Sequence, residues 1–502
     1  MDYLVGIDLG TSNVKTIIIS EEGEVVAISK KEYEIDVPAI GYAEQDPEVW
    51  WYKTKECIAE MITKSEISKD SIIGIGITGQ MHGTVPLDRY LKPIRKAVIW
   101  IDRRSQSQCI EFYNILGKDW VIDILGNPIM PGFMGPTLLW LKENEAESFR
   151  KIYKVSLPKD YIGYKLTGEI TTDFSDASAT LLFDNRRRKW SEHILTELNI
   201  EADILPDVYE SVDIRGEITW RASEETGLPK DIPVITGGGD SPVGAIGAGV
   251  IDNKVLSSNI GTGGQILLLT DECKIDRKLR VHSFIHVVPG KWYLQGATLS
   301  AGLSLRWFRN EFGHLERTLA DLLNVDPYDL IVKEAEKVEP GSKGLVFLPY
   351  LIGERSPYMD PDAKGVFFGL TIEHSRAHFI RAIMEGVVFA LRDCLEVFRE
   401  LGVSVEKVIA RGGGSRSRLW RQIQADIYGL PVLKSSIDED AAFGAALLAG
   451  VGVGLYPDIY RACKEIIKLN EEIKPNKERQ IIYEQLFQKI YRHLYPLLKS
   501  LY

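Results

Sequence analysis

The chain has few cysteines, no excess of positive charge and no uninterrupted apolar run long enough to cross a membrane. Its five cysteines lie at least 52 residues apart, which excludes a CxxC metal or redox pair, and an odd, sparse set is typical of a reducing compartment. Lys and Arg total 60 against 71 for Asp and Glu, so the net charge of −11 disfavours binding to a nucleic-acid backbone or an anionic membrane.

Two short apolar segments bear on where the protein is expected to reside. The 16-residue run Ala441–Tyr456 contains four glycines and is shorter than a membrane span, so it predicts a buried helix and turn. At the N-terminus, Asp8 interrupts the first apolar residues, and we expect no secretory signal peptide. These features predict a cytoplasmic protein with neither a membrane nor a nucleic acid as its partner.

The composition is otherwise that of a folded globular protein, with 45% apolar and 26% charged residues among 502. A chain of this length predicts two large α/β domains. We expect the first over residues 1–245 and the second over residues 246–502, with the break near Gly244–Ile251.

Several segments rich in β-branched residues predict strands, and most of them run into polar loops that contain glycine. The predicted strands are Leu4–Ile7, Val14–Ile19, Ile72–Ile77, Val98–Ile101, Ile232–Thr236, Val255–Asn259, Gln265–Leu269 and Lys407–Ala410. Open α/β sheets bind ligands at the ends of their strands, so these loops are candidate site segments. The similar loops Gly10–Ser12 and Gly261–Gly263 lie about half a chain apart, which suggests two related domains, although so short a match also arises by chance.

Helices are predicted where an apolar stripe repeats at helical spacing. Asp46-Pro47-Glu48 has the cap, the first-turn proline and the acidic residue that open a helix. In the second half, helices are predicted over Ala377–Glu400, over Arg418–Tyr428 and over Lys477–Leu498, the last kinked near Pro496.

Asp240 is the first candidate for catalysis, because it follows three glycines and precedes Ser241-Pro242. Pro242 suits the first turn of a helix, and we expect Ser241 to be its cap. A carboxylate beside the positive end of that helix is stabilised in its ionised form and can accept a proton from a hydroxyl. Taken alone, the local sequence fits a capping Asp in a tight turn better than a catalytic base.

Asp8 is the second candidate, because an acidic residue within an apolar strand requires a partner. The Gly10–Ser12 turn that follows offers backbone N–H groups and hydroxyls, which can bind phosphate oxygens. Asp8 can hold a magnesium ion beside them, directly or through water. The segment is not a Walker loop, because the GxxxxGK[ST] pattern is absent there.

These motifs coincide with those of a known family. The chain resembles the FGGY carbohydrate kinases, and among them most closely the xylulokinases. The matching stretches, in family order, are Gly6–Lys15, Glu44–Trp51, Gly79–Gly83, Trp100–Ser105, Asn127–Lys142, Leu157–Glu169, Gly237–Gly249, Phe347–Pro361, Lys364–Leu370 and Gly412–Val432. They extend over nearly the whole chain, which makes the resemblance specific.

The resemblance implies two actin-like, ribonuclease-H-like α/β ATPase domains around a catalytic cleft. It implies transfer of the ATP γ-phosphoryl group to a sugar hydroxyl, with Asp240 as the general base. Asp8 matches the acidic residue that supports the Mg²⁺–phosphate site, and Asp240 is the second candidate near that metal. The residues that match the nucleotide site are Thr11, Ser12, Gly261, Thr262, Gly302, Arg306, Gly413, Gly414 and Arg418.

The sugar specificity implied by the resemblance depends on a dipeptide. Met81-His82 stands where glycerol kinases usually have an Arg-Glu pair, which favours a ketopentose, and D-xylulose in particular, over glycerol. Asp102 is a further candidate, either as a substrate contact or as half of an ion pair. Two departures from the xylulokinase pattern, Ser241-Pro242 and Gly263, remove no catalytic group but leave the sugar less certain.

Other functions remain open. An actin-like or chaperone-like ATPase shares the hairpin and cleft, but it does not need a sugar-specific dipeptide. A non-catalytic sugar sensor does not need to retain both Asp8 and Asp240. Among kinases, ribulose and gluconate are the alternative substrates. We expect ATP, Mg²⁺ and a small sugar as ligands, with a homodimer as an open alternative to the monomer.

Overall fold

The structure is a computed structural model that describes residues 1–437 and 439–502. Its main elements are two seven-stranded sheets. The strands of the first sheet are β1 (Tyr3–Leu9), β2 (Asn13–Ser20), β3 (Val25–Glu32), β4 (Ile72–Gly79), β5 (Ile214–Glu217), β6 (Pro233–Ile235) and β7 (Gly238–Gly239). Those of the second are β8 (Val255–Ile260), β9 (Gly264–Thr270), β10 (His282–Ile285), β11 (Trp292–Thr298), β12 (Lys407–Arg411), β13 (Val432–Ser435) and β14 (Leu469–Ile473).

Helices cover the sheets and fill the connections. Those of seven residues or more are α1 (Pro47–Ser65), α2 (Gln106–Leu116), α3 (Met134–Asn144), α4 (Pro158–Thr167), α5 (Glu192–Leu198), α6 (Trp220–Thr226), α7 (Asp240–Gly247), α8 (Gly302–Phe312), α9 (His314–Leu323), α10 (Pro327–Ala335), α11 (Arg376–Glu400), α12 (Arg418–Tyr428), α13 (Asp440–Gly452), α14 (Ile459–Ile466), α15 (Lys477–Leu486) and α16 (Arg492–Leu498). Shorter helices span Lys118–Trp120, Ala146–Arg150 and Phe174–Ser178.

Both sheets have the same core topology. In the first, β1, β2 and β3 form an antiparallel meander and β4 runs parallel to β1. In the second, β8, β9 and β11 form the meander and β12 runs parallel to β8. The two short loops that resemble each other in sequence are the first hairpins of these meanders. The predicted α/β class with two related units is therefore confirmed.

Short two-stranded pairs line the loops between these units. They join Glu44–Gln45 to Ala97–Val98, Val85–Leu87 to Lys154–Ser156, Thr171–Asp173 to Asp207–Tyr209, Phe183–Asp184 to Lys189–Trp190, and Val346–Leu348 to Val366–Phe368. The sheets are connected through residues 248–254, between the end of α7 and the start of β8.

Helix α13 packs unusually closely on its neighbours. It is apolar on every side, as expected of a buried helix. A methyl group on Gly6 of β1 or Gly76 of β4 would lie only 1.9 Å from a carbonyl oxygen of α13. On another face, a methyl group on Gly247 of α7 would lie 1.8 Å from the carbonyl oxygen of Asp440. Glycine at these positions allows a helix from the second half of the chain to rest on the first sheet.

The structure confirms most predicted elements and corrects three. Helix α1 begins at Pro47 with Asp46 as its cap, and α12 has the predicted bounds. The predicted strand Val98–Ile101 is wrong beyond Val98, where the strand ends. The predicted cap Ser241 is also wrong, because α7 begins two residues earlier, at Asp240, with Gly239 as its N-cap. The irregularity expected near Pro496 is a π-turn over Phe487–Tyr491.

The apolar run near residue 441 forms α13 and the turn after it, as predicted. In the part of the chain that the structure describes, every helix is too short or too polar to span a bilayer.

Candidate active site

The ends of three parallel strands bring Asp8 and Asp240 to one edge of the first sheet. Asp8 lies near the end of β1, which is parallel to β4. The short strand β7 also pairs with β4, opposite Thr78 and Gly79, and Asp240 follows it directly. The turn into β7 requires a glycine, because Gly237 has φ +73° and its Cβ would lie 1.8 Å from the carbonyl oxygen of Ile77.

Asp240 is the first residue of α7, so its carboxylate lies at the positive end of the helix. The Ser241 hydroxyl lies 3.3 Å from Asp240 Oδ1 and 3.3 Å from Gln265 Oε1, and it accepts a hydrogen bond from Gln295 Nε2. Both glutamines belong to the second sheet. Asp240 therefore lies where the two halves of the molecule meet.

Burial and charge make both carboxyl groups weaker acids than usual. Burial raises the pKa of Asp240 to about 6, against hydrogen bonds from Ser241 and the charge of Arg411. Burial and the charge of Asp240 raise the pKa of Asp8 to about 7, against Lys15 and Arg411. Two like charges in a buried site favour an added cation.

The residues present fit a magnesium ion held together with phosphates. Asp8 Oδ1 is buried and has no hydrogen-bond partner among the described residues. Oxygen ligands suit Mg²⁺, which usually takes one or two carboxylates and completes its shell with water and substrate phosphates. The described residues contain no cluster of three acidic, His or Cys side chains that could hold a metal by themselves.

Hydrogen bonds from Trp100 and Gln45 fix the position of Thr11 in the first hairpin. Thr11 Oγ1 accepts a hydrogen bond of 2.9 Å from Trp100 Nε1, and its carbonyl oxygen accepts one of 2.7 Å from Gln45 Nε2. Because Trp100 takes up an acceptor site of the hydroxyl, the Thr11 proton is left to donate. Ser12, at the tip, is exposed. The turn therefore presents hydroxyl donors beside Asp8.

A cavity of about 750 Å³ lies next to the second hairpin. It is lined by all of the candidate nucleotide residues from the second half of the chain, namely Gly261, Thr262, Gly302, Arg306, Gly413, Gly414 and Arg418. Among the further lining residues that were missed from the sequence are Tyr328, Asp329, Val332, Lys333, Glu336 and Arg416. Five of these lie on or just after α10. The Asp326-Pro327 start of α10 predicts a helix, but this sequence does not indicate a ligand site.

The second hairpin is tied to the start of α8. Its Gly261 and Thr262 carbonyl oxygens accept hydrogen bonds from the Gly302 and Leu303 N–H groups, at 2.8 and 3.0 Å. A Cβ at Gly302 would lie 2.4 Å from the Gly261 carbonyl oxygen. The close approach of helix and hairpin thus depends on glycine at position 302.

We expect Gly302→Ala to weaken ATP binding by about tenfold or more, because even a 1 Å misplacement can cost up to about 100-fold in function. The added methyl group must push the hairpin away from α8. Isothermal titration with ATP measures the change, and Asn310→Ala on the exposed face of the same helix is the control. An unchanged affinity would show that the hairpin does not contact the nucleotide.

Met81 and His82 lie against the glycine loop that precedes Asp240. Met81 is buried, and a Cβ on Gly239 would lie 2.7 Å from its Cγ and Sδ. The His82 ring stacks on Phe133 with 3.6 Å between ring centroids, and its Nδ1 lies 3.0 Å from the carbonyl oxygen of Ala179. Burial lowers the pKa of His82 to about 3, so the ring is neutral. Nδ1 must donate to Ala179, which leaves Nε2 as an acceptor for a ligand.

Asp102 forms an ion pair. Arg104 Nε lies 3.0 Å from both carboxylate oxygens, and the N–H of Ala43 donates to Oδ2 at 2.6 Å. The side chain of Asp102 is fully buried. The structure therefore favours the ion pair, which was one of the two interpretations, over a substrate contact.

Arg355 reaches this region from the second half of the chain. Its guanidinium lies 5.7 Å from the Trp100 ring centroid and 5.9 Å from that of Phe133, and its buried Nε has no partner among the described residues. Burial lowers its pKa to about 10. The sequence placed Arg355 within a family motif but indicated no role for it.

Comparison with known proteins agrees with this geometry. The family model described as the FGGY family of carbohydrate kinases, N-terminal domain, matches residues 3–247, and the C-terminal domain model matches residues 256–453. The xylulose kinase of Bacillus subtilis (strain 168) is 38% identical over 501 residues, covering 100% of this chain and 98% of the relative. The gluconokinase of the same strain is 32% identical over 502 residues, covering 100% and 97%.

Solved structures show the same fold. The crystal structure of a protein described as a xyloylose kinase, from Brucella ovis, has a TM-score of 0.90, 32% identity and 100% coverage of both chains. The family models match most of this sequence, and the curated relatives match it end to end. The chain therefore belongs to the FGGY family of carbohydrate kinases.

Proposed function

We propose that this carbohydrate kinase, which takes its phosphoryl group from ATP, transfers it to a hydroxyl of D-xylulose and forms D-xylulose 5-phosphate. The observation that carries the proposal is the half-buried carboxylate of Asp240, which follows the glycine against which Met81 packs. The 38% identity to a xylulose kinase over the whole chain supports the same sugar.

In the proposed reaction Asp240 accepts the proton of the sugar hydroxyl as its oxygen attacks the γ-phosphorus and ADP leaves. The transferred group needs position and charge neutralisation more than covalent help. The two hairpins, Gly10–Ser12 and Gly261–Gly263, supply donors from opposite halves of the molecule. A magnesium ion held by Asp8, with Asp240 nearby, would neutralise phosphate charge when bound.

The pH dependence of kcat/KM tests the role of Asp240. A base must be ionised, and the pKa of Asp240 is about 6 rather than its ordinary value of 3.8. We therefore expect kcat/KM to fall as the pH drops through about 6, where an ordinary aspartate would remain ionised. A profile that stays flat down to pH 5 would contradict this assignment.

His82→Asn is expected to lower kcat/KM for D-xylulose by about 5- to 150-fold, because a hydroxyl left unpaired in a closed site costs about 1–3 kcal/mol. Asparagine suits the left-handed backbone of His82, at φ +72°, better than alanine. Steady-state kinetics with D-xylulose give the change, and ATP affinity without sugar should not move. Unchanged kcat/KM would make Gly79–Gly83 a structural turn.

Gluconate is the second candidate substrate, since one specific feature favours it. The buried Nε of the Arg355 cation has no partner among the residues that the structure describes, and a carboxylate is its natural partner. A coupled ADP-release assay with D-xylulose, D-ribulose, L-ribulose, gluconate and glycerol separates the candidates. The highest kcat/KM with gluconate would overturn the assignment to D-xylulose.

We also propose that the enzyme is cytoplasmic, and cell fractionation tests this location. Whether two copies associate is tested by light scattering of the purified protein. A dimer mass would support the homodimer that the sequence left open.

A further inference from the structure

Five charged side chains are buried behind the loop that carries Asp240. We call this set, Lys159, Asp160, Asp173, Asp176 and Arg215, the buried ion cluster. Lys159 Nζ lies 2.6 Å from Asp160, 3.1 Å from Asp173 and 3.3 Å from Asp176, and Arg215 lies 3.3 Å from Asp160. Buried ion pairs seldom stabilise a fold more than apolar residues of the same volume would. The presence of the cluster therefore requires an explanation other than fold stability.

The cluster leaves Asp173 as a firm acceptor. Burial, together with the neighbouring carboxylates and against Lys159, raises the pKa of Asp176 well above its ordinary value. Lys159 and Arg215 supply the two cations that lie among the three carboxylates. Asp173 accepts hydrogen bonds from the backbone N–H and the hydroxyl of Ser175 and from the hydroxyl of Ser211, at 2.8, 2.6 and 3.0 Å.

A chain of hydrogen bonds leads from this carboxylate to the catalytic loop. Because the single proton of the Ser175 hydroxyl is donated to Asp173, the oxygen of that hydroxyl can only accept from elsewhere. It accepts from the backbone N–H of Gly239 at 3.0 Å, and Gly239 is the residue before Asp240. The direction of every bond in the chain thus follows from the Asp173 oxygen that accepts the first of them.

A second branch holds the other end of the loop. The carbonyl oxygen of Ser211 accepts from the N–H of Gly237 at 2.9 Å, while the Ser211 hydroxyl donates to Asp173. The three glycines of the loop have no side chains with which to anchor it. Besides its pairing with β4, the loop backbone is held by Ser175, by Ser211 and by the Thr78 hydroxyl, which donates to the carbonyl oxygen of Gly238 at 2.7 Å.

We propose that Ser175 and Asp173 are positioning residues for phosphoryl transfer. They act through the N–H of Gly239 and orient the Asp240 carboxylate toward the sugar hydroxyl. The buried ion cluster holds the Asp173 side chain in place, with Lys159 Nζ 3.1 Å from its Oδ1. This inference rests on the proposed function, in which Asp240 is the base.

Ser175→Ala and Ser178→Ala form a matched pair for the test. Both hydroxyls are buried in the short helix Phe174–Ser178. The Ser178 hydroxyl donates to the Ser175 carbonyl oxygen at 2.8 Å and accepts from the Ile285 N–H at 3.1 Å, so its removal costs hydrogen bonds away from the loop. Ser178→Ala therefore reports the effect of losing a buried hydroxyl as such.

We expect Ser175→Ala to lower kcat by about 10- to 100-fold, since a displacement of about 1 Å at a reacting group costs up to that much. The KM values for D-xylulose and ATP should remain within about threefold of wild type, and Ser178→Ala should keep kcat within about threefold. Calorimetric ATP binding at one site per chain shows that each variant is folded. Equal losses in the two variants would overturn the proposal.

A double-mutant cycle then separates positioning from general damage. If Ser175 acts through Asp240, adding Ser175→Ala to Asp240→Asn should cause no further loss of kcat. A further loss equal to that seen in the wild-type background would overturn the proposal. If Asp240→Asn alone retained activity, the base assignment itself would fail, and Ser175 could not act through it.

Discussion

Replacing Asp240 with Asn is expected to lower kcat by about 10²–10⁴-fold, the usual contribution of a general base. Asparagine keeps the size of the side chain and can still accept a hydrogen bond from Ser241, but it cannot take the proton of the sugar hydroxyl. ATP binding and the thermal midpoint should stay close to those of wild type. The loss therefore belongs to the chemical step.

The measurement is steady-state ADP release with D-xylulose, with calorimetric ATP binding on the same preparation. Asp36→Asn is the control for a lost carboxylate, because Asp36 is exposed and forms an ion pair with Lys96 at the surface. If Asp240→Asn kept more than a third of wild-type turnover, another group would have to take the proton.

Replacing Asp8 with Asn is expected to lower kcat by about 10²–10³-fold, the loss typical when one electrostatic contact to the transition state is removed. The mechanism differs from that of Asp240→Asn. Asp8 would support the magnesium–phosphate site, so its loss should also raise the Mg²⁺ concentration needed for half-maximal rate. A magnesium titration with the same midpoint as wild type would contradict that role.

The same substitution should stabilise the protein without ligands. The pKa of Asp8 is about 7 in the folded chain against 3.8 for the ordinary group, so the folded state binds its proton more tightly than the unfolded state. Ionised Asp8 thus costs stability, increasingly so from about pH 4 to 7 and fully above that. At about pH 8, Asp8→Asn should gain on the order of 2 kcal/mol, and the gain should vanish near pH 4.

The sequence indicated where Asp8 and Asp240 lie because each of the two segments is local. A strand that ends in Asp8 and a triple glycine that ends in Asp240 are visible in a few consecutive residues. Their meeting at one edge follows from the rule that parallel strands present the same ends together. The raised pKa values did not follow from the sequence, since they depend on burial by both halves of the molecule.

Long-range contacts account for what the sequence did not predict. Asp102 was left open between a substrate contact and an ion pair; in the structure it pairs with Arg104 and accepts from the distant Ala43 N–H. The sequence around His82 did not indicate that the carbonyl oxygen of Ala179 occupies one of its ring nitrogens. The role of α10 in lining the cavity was invisible, because its residues show only an amphipathic helix.

The packing of α13 on the first sheet determines how fragments of this enzyme should behave. One continuous core joins residues of both halves, including Leu4 and Ile17 from the first sheet and Phe443 and Leu447 from α13. A fragment that ends near residue 250 would expose to water the apolar surface on which α13 packs, and it should be insoluble by itself. Co-expressed with the remainder of the chain, however, it should assemble, and a nick between residues 248 and 254 should leave a working two-chain kinase.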